Sequence, residues 1–207
     1  MHGYMKIPEL KKVCHAYGVS INEYLVAVYV WSVYTECMHG MPSERPVRVA
    51  VPVNLRPYFN SITTKNFFVM VSAEFHPTKE IYTFEEVLKS VSESLRSQIS
   101  RENLEKLFSY NVSNEKLLAA RIVPLFLKNL AMRYVYTTSA LANTATVTNI
   151  GNISVSEEYR PYVEMFHAFL AMSKGQHLKG TICSYGDTLV FSFSYDLVDA
   201  SVQRGFF

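Results

Sequence analysis

A chain of 207 residues, 49% hydrophobic and 18% charged, is long enough for one large domain or two small ones, and it buries a real core. Its formal net charge of +2, with no Lys/Arg block, gives no electrostatic footprint for nucleic acid. The three cysteines, Cys14, Cys37 and Cys183, are far apart and form no C-x-x-C pair, so neither zinc nor a disulfide framework is expected and a reducing cytoplasm is the default compartment. The longest apolar run, Tyr24 to Ser32, falls short of the ~20 residues a membrane span needs. "MHGYMKIPEL" carries no signal-peptide pattern, and no repeat of solenoid length appears.

Pro8 to Tyr17 reads as a short helix, with proline at its start and Gly18 at its stop. Ser20 and Glu23 then form a capping box. The helix they open, Ile21 to about Met38, is apolar almost all round and so belongs in a core; Gly40 and Pro42 end it. Val47, Val49, Val51 and Val53 alternate with Arg48, Ala50 and Pro52, the period of a strand, and Pro52 puts an edge or a bulge near its end. Asn66 to Phe75 is a second apolar strand. Thr83 and Glu86 cap a helix whose Phe84, Val87, Leu88, Val91, Leu95 and Ile99 share one face. Residues 114–137 read as helix with a kink at Pro124. "ATVTNIGNISV" is a strand that meets a turn at Gly151, and "VEMFHAFLAMS" reads as a buried strand carrying His167. "GTICSYGDTLVFSFSYD" is a hairpin whose Gly186-Asp187 turn has the type II′ signature. The order predicts an α/β fold of the α+β type, a mixed central β-sheet flanked by helices, in one domain over 1–207.

No G-x-S-x-G, H-E-x-x-H, P-loop or G-x-G-x-x-G is present. The six histidines, His2, His15, His39, His76, His167 and His177, include no pair at ligand spacing, so no metal is expected. His167 reads as a hydrogen-bonded core histidine more than as a ligand or base. Arg56 is a strand-end charge or a buried pairing group. Asn149 and Gly151 in "TNIGN" are a common turn pattern. The 14 tyrosines and 13 phenylalanines are core, or the lining of an apolar tunnel.

Taken in order, "VAVPVNLR", then "NFF", then long helices, then "TNIGN", then a hairpin ending in "SYDLVDAS", resemble the C-terminal half of the chloramphenicol-acetyltransferase-like superfamily. That group includes alcohol acetyltransferases, wax ester synthases and condensation domains. The resemblance spans roughly residues 8–207, and "PVNLR" with "NF" is most similar to the alcohol-acetyltransferase and wax-synthase branches. It implies acyl transfer from acetyl-CoA or another thioester to an alcohol or amine, with no covalently bound cofactor.

In the family an N-terminal half carries the general base in an H-H-x-x-x-D-G motif, and the C-terminal half has a similar strand and loop without the histidines. The resemblance aligns Ser194 and Tyr195 with those histidines, Asp199 with the aspartate and Ala200 with the glycine. Tyr195, with an ordinary pKa of about 10, is no efficient base near neutral pH. Asp199 also reads as a simple helix cap, and it is expected to be held by an arginine or by backbone N–H groups, with Arg56 one candidate. Thr148, Asn149 and Gly151 become candidates for the substrate channel; Arg56, Asn66 and Asp199 match architectural positions. The chain is then expected to need an N-terminal acyltransferase half as partner, to be inactive alone, and to self-associate through the exposed half-interface. The alternatives are a non-catalytic domain of the same fold that binds a partner protein or a small acyl compound, and a free-standing half assembled as a trimer.

Overall fold

The computed structural model describes residues 1–116 and 123–207. A six-stranded mixed sheet runs through the molecule in the order β1-β6-β5-β4-β2-β3. Its strands are β1 (His2–Lys6), β2 (Val47–Asn54), β3 (Phe68–Phe75), β4 (Ala145–Asn152), β5 (Leu178–Tyr185) and β6 (Thr188–Tyr195). The helices are α1 (Ile7–Tyr17), α2 (Ile21–Ser32), α3 (Arg56–Phe59), α4 (Phe84–Gln98), α5 (Arg101–Lys116), α6 (Leu125–Leu141) and α7 (Ser201–Phe206). No helix among the described residues is long and apolar enough to cross a membrane.

The local signals act as their chemistry requires. Ser20 Oγ accepts from the Glu23 amide while the Glu23 carboxylate accepts from the Ser20 amide, and Thr83 and Glu86 do the same for α4. Gly18 closes α1 in the left-handed region, at φ 65°. α2 is followed by a π-helical turn, Val33–Cys37. Val26, Ala27, Tyr29 and Val30 of α2 have no exposed surface. Of the two hairpin residues between β5 and β6, only Gly186 has a positive φ, as a type II′ turn demands.

The register divides the sheet into two faces. Val49 pairs with Ala145 and with Ala73, and Phe191 with Ile182 and Gly3. These positions, with Val51, Val71 and Phe193, form the face packed on α2 and α4. On the opposite face, Lys179, Thr181, Cys183, Val190 and Ser192 are buried beneath a strap, residues 163–173. Lys179 Nζ donates to Ala171 O at 2.8 Å and to Ser173 Oγ at 2.6 Å, and Cys183 Sγ donates to Phe166 O at 3.2 Å.

The strap corrects the expected strand "VEMFHAFLAMS". Both neighbours of β5 and both of β6 are already strands, so no free ladder exists there and the segment lies on the sheet, not in it. Its apolar run is explained by the face it covers. His167 is accordingly not a core histidine: it is exposed, edge-on to His2 with ring centroids 4.5 Å apart. Gly151 makes a β-bulge and not a turn, since β4 continues to Asn152 while its register with β5 skips one residue. Pro124 precedes the first residue of α6 in place of kinking a continuous helix; residues 117–122 of that expected helix lie outside the described residues.

Strand β3 is an edge, and α4 covers it. Ser94 Oγ accepts from the Glu74 amide and donates to Ser72 O; Gln98 accepts from the Ser72 amide and donates to Ser72 O; Ser90 Oγ donates to Glu74 O. A stripe of small polar side chains at helical spacing thus satisfies backbone groups that a second chain would otherwise find free.

Candidate functional site, a cleft where two parallel strands part

Pro52 decides the geometry. It sits within an unbroken β2–β3 ladder, opposite Met70, so its missing N–H belongs to the side that faces β4. There the parallel pairing of β2 with β4 is confined to Val49–Ala145 and Ala50–Thr146. Beyond Ala50 the strands diverge and a cleft of about 620 Å³ opens between them, on the face turned away from α2 and α4. The expectation of an edge at Pro52 therefore holds in a local sense: β2 is interior in sheet order, yet unpaired on one side where the proline stands.

The cleft gathers residues from three segments. β4 contributes Thr146, Thr148, Asn149 and Ile150. The chain from β2 to β3 contributes Asn54, Arg56 and Asn66, with the aromatic and thioether side chains of Phe68 and Met70, and the strap adds Leu170. Phe68 and Met70 are 48% and 47% exposed, so the apolar floor is open to solvent.

Asn149 is held in a defined orientation. Its Oδ1 accepts from the Gly151 amide at 2.8 Å, which leaves Nδ2 as the donor of that side chain. That contact depends on the bulge, and the bulge depends on Gly151 at φ 85°, where an added Cβ would meet no atom within 4 Å; the requirement is the backbone conformation, not space. Gly151 itself supports the cleft from behind and does not line it.

Arg56 binds inward to its own loop. Nε donates to Thr63 O at 3.0 Å, Nη2 to Lys65 O at 2.6 Å and Nη1 to Asn54 Oδ1 at 3.2 Å. The guanidinium thus fixes the 54–65 segment as one rim of the cleft. It is not the partner of Asp199, for which it was one candidate; a backbone N–H, the other expectation, is. Asp199 lies beyond the end of β6, and its carboxylate accepts from the Ser201 amide at 3.0 Å and the Ser201 hydroxyl at 2.7 Å, with Arg204 at 3.8 Å. The hydrogen bonds from Ser201, with Arg204 behind them, hold the Asp199 carboxyl below its ordinary value. Tyr195 packs against the hydrophobic core at that same end of the sheet, so it and the cleft lie at opposite ends of the strands.

No histidine lines the cleft. One does stand beside the Asp199 corner, and the sequence order hid it. His177, just before β5, has Nδ1 at 2.9 Å from Oδ1 of Asp196, just after β6. Only the pairing of Leu178 with Tyr195 brings them together.

No family model matches the sequence, and no curated protein matches it. Solved structures do match over the whole chain. A wax ester synthase/diacylglycerol acyltransferase from Marinobacter aquaeolei VT8 is similar at 15% identity and TM-score 0.54, with 99% of this chain and 46% of that one covered. The epimerization domain from the third module of tyrocidine synthetase B gives 12% and 0.59, covering 100% and 45%. Polyketide synthase associated protein 5 from Mycobacterium tuberculosis gives 10% and 0.61, covering 100% and 50%. The chain spans about half the length of these proteins. At such identities the likeness shows the fold alone, a mixed sheet flanked by helices of the chloramphenicol-acetyltransferase-like kind.

Proposed function

We propose that this chain is the C-terminal half of an acyltransferase, and that its cleft walls a channel in which an acyl group passes from a thioester such as acetyl-CoA to an alcohol or amine. The observation that carries this reading is the cleft itself: an apolar floor of Phe68 and Met70 beside two donors, the Thr148 hydroxyl and the Asn149 carboxamide. In the reaction the acceptor loses its proton to a base and attacks the thioester carbonyl. The carbonyl oxygen takes up negative charge, the C–S bond then breaks, and the departing thiolate takes a proton. In this reading Thr148 and Asn149, both on the cleft lining, donate to that oxygen, a role worth about 2.7–4 kcal/mol per donor in acyl transfer. Neither takes a proton, so the base comes from a partner half.

Helix α6 supports the need for a partner. Leu125, Phe126, Leu130 and Tyr134 are between 67% and 72% exposed, on a helix with little packing of its own. Contiguous apolar surface of that kind is rare on a lone soluble domain. The chain is therefore expected to self-associate at micromolar concentration when no other half covers it, as sedimentation velocity would report.

The test is a thiol-release assay with acetyl-CoA and a panel of alcohols and amines. The chain alone should show no turnover above background. Mixed with an N-terminal half that carries H-H-x-x-x-D-G it should turn over, and Asn149→Ala should lower kcat by about 10²-fold. Turnover by the chain alone, or full activity of the Asn149→Ala mixture, would overturn the proposal. A mixture that binds but stays inactive would favour the non-catalytic domain.

A further inference from the structure

A second concavity lies at the other end of β2 from the cleft, where β2, β4 and β5 begin and β6 has ended. It measures about 390 Å³, within the usual range of small-molecule sites. Val33, Met38, Val47, Leu178, Leu197 and Val202 make its walls, which are largely apolar.

Its polar groups are few and unevenly satisfied. The two nearby carboxylates are both engaged: Asp196 by His177 at 2.9 Å, and Asp199 by Ser201 with Arg204 behind it. Arg45, also on the lining, has no ion-pair partner among the described residues. Gln203 lines the cavity at 1% exposure, and neither its amide nitrogen nor its amide oxygen has a hydrogen-bond partner. A buried amide left in that state destabilises the empty protein, and a ligand group that meets it restores the loss. The net offer of the cavity is thus an apolar body, one unpaired cation and one unused amide.

We infer that this cavity binds a small aliphatic monocarboxylate, its chain against the valine and leucine walls, with Arg45 and the Gln203 amide as polar anchors. The site is distinct from the acyl-transfer cleft and does not rest on it: Arg45 and Gln203 do not line the cleft, and Thr148 and Asn149 do not line the cavity. Cys37 is on the lining and is the exposed one of the three cysteines; Cys14 and Cys183 are buried. Occupancy can therefore be read from one thiol.

The experiment uses the full chain and three probes with the same tail, octanoate, octan-1-ol and octylamine. Calorimetric titration should show octanoate binding about tenfold more tightly than octan-1-ol, the size of one charge-assisted contact, and octylamine binding weakest. Octanoate should slow N-ethylmaleimide alkylation of Cys37, and octylamine at equal concentration should not. Arg45→Gln, an exposed substitution, should erase the preference for octanoate. Gln203→Leu should weaken octanoate while raising the Tm of the ligand-free chain, a pair of effects that a purely structural glutamine would not give. Equal binding of all three probes, no protection of Cys37, or an unchanged preference in Arg45→Gln would each overturn the assignment. Val202→Trp, which fills the cavity, should abolish protection; should that variant fail to fold, Arg45→Gln and the Cys37 rates decide.

Discussion

Glu23→Gln isolates one charge at a junction of three elements. Glu23 is 8% exposed. Its Oε1 accepts from Arg96 Nε at 2.6 Å, and its Oε2 from Arg96 Nη2 at 3.2 Å and from the Ser20 amide at 2.7 Å. The same Nη2 donates to Gly18 O at 2.8 Å, so one guanidinium joins the end of α1, the start of α2 and the last turn of α4. Glutamine retains the capping-box reach, but it has one acceptor oxygen where the carboxylate uses two, so the substitution removes the charge and turns one accepting position into a donor that faces a donor. Hydrogen bonds to charged groups contribute about 1.5–3 kcal/mol. The Arg96 side chain is 57% exposed and water screens it, which lowers the expected loss to ~1–2 kcal/mol. With a urea m-value of about 2 kcal/mol/M the midpoint should fall by about 0.5–1 M. Trp31, packed on Tyr34 and Phe84, reports the transition by fluorescence. Burial acts to raise the Glu23 carboxyl, and Arg96 and the Ser20 cap outweigh it, so its pKa lies below the ordinary value. A depressed carboxyl stabilises the fold above its unfolded pKa of about 4.3 and loses that effect as pH falls through the folded value. The gap between wild type and variant should therefore be full at pH 7, begin to narrow below about 4.3, and close only below the depressed folded value. A gap that does not narrow at all between pH 7 and pH 3, or none at pH 7, would refute the assignment of the effect to charge.

Three further outcomes follow from the packing. In Gly180→Ala the new Cβ would stand 2.6 Å from Phe191 Cζ and 3.1 Å from Val147 Cγ2 beneath α2, an overpacking cost of about 1–3 kcal/mol that thermal denaturation should register as a lower Tm. Tyr29→Phe should be neutral or stabilising by up to ~1 kcal/mol in the same assay, because the Tyr29 hydroxyl is buried without a partner; a clear loss would reveal a hidden hydrogen bond. Ser94→Ala strips the Glu74 amide of its acceptor and leaves Gln98 as the remaining donor to Ser72 O, so it should cost about 1 kcal/mol in urea titration and raise light scattering on storage as part of the β3 edge becomes free.

What was legible in the sequence is what short-range chemistry decides. The capping boxes at Ser20 and Thr83 and the turn at Gly186 each satisfy backbone groups within a few residues, so composition alone exposes them. The alternation of Val47 to Val53 is legible because one sheet face is dry from Val47 to Val51 and half-buried at Val53. The strap at 163–173 was misread because burial against a face and burial within a ladder select the same apolar residues. Only the sheet order, which leaves β5 and β6 no free edge, separates the two. Gly151 failed for a related reason: Asn-x-Gly supplies a positive φ for a turn or for a bulge, and the register of β5 chooses. The His177–Asp196 pair was invisible because 19 residues separate its members and strand pairing alone joins them.

The absence of histidines at the end of β6 bears on chemistry in a particular way. An acid at position 199 receives both the amide and the hydroxyl of Ser201, and so settles the corner at which strand gives way to α7. That need is local and exists whatever residues stand at 194 and 195. Tyr195 meets a different need, packing on the core where an imidazole would have to be desolvated. The corner can therefore keep its aspartate for architecture alone, and the histidine that stands beside it, His177, pairs with Asp196 and not with Asp199. The cleft shows the converse. Pro52 gives up a ladder hydrogen bond and Gly151 admits a bulge, two departures from ideal strand structure at one end of the sheet, and together they part β2 from β4 and fix the Asn149 side chain. Departures of this kind stabilise nothing by themselves, and they lie at the cleft and not at the corner.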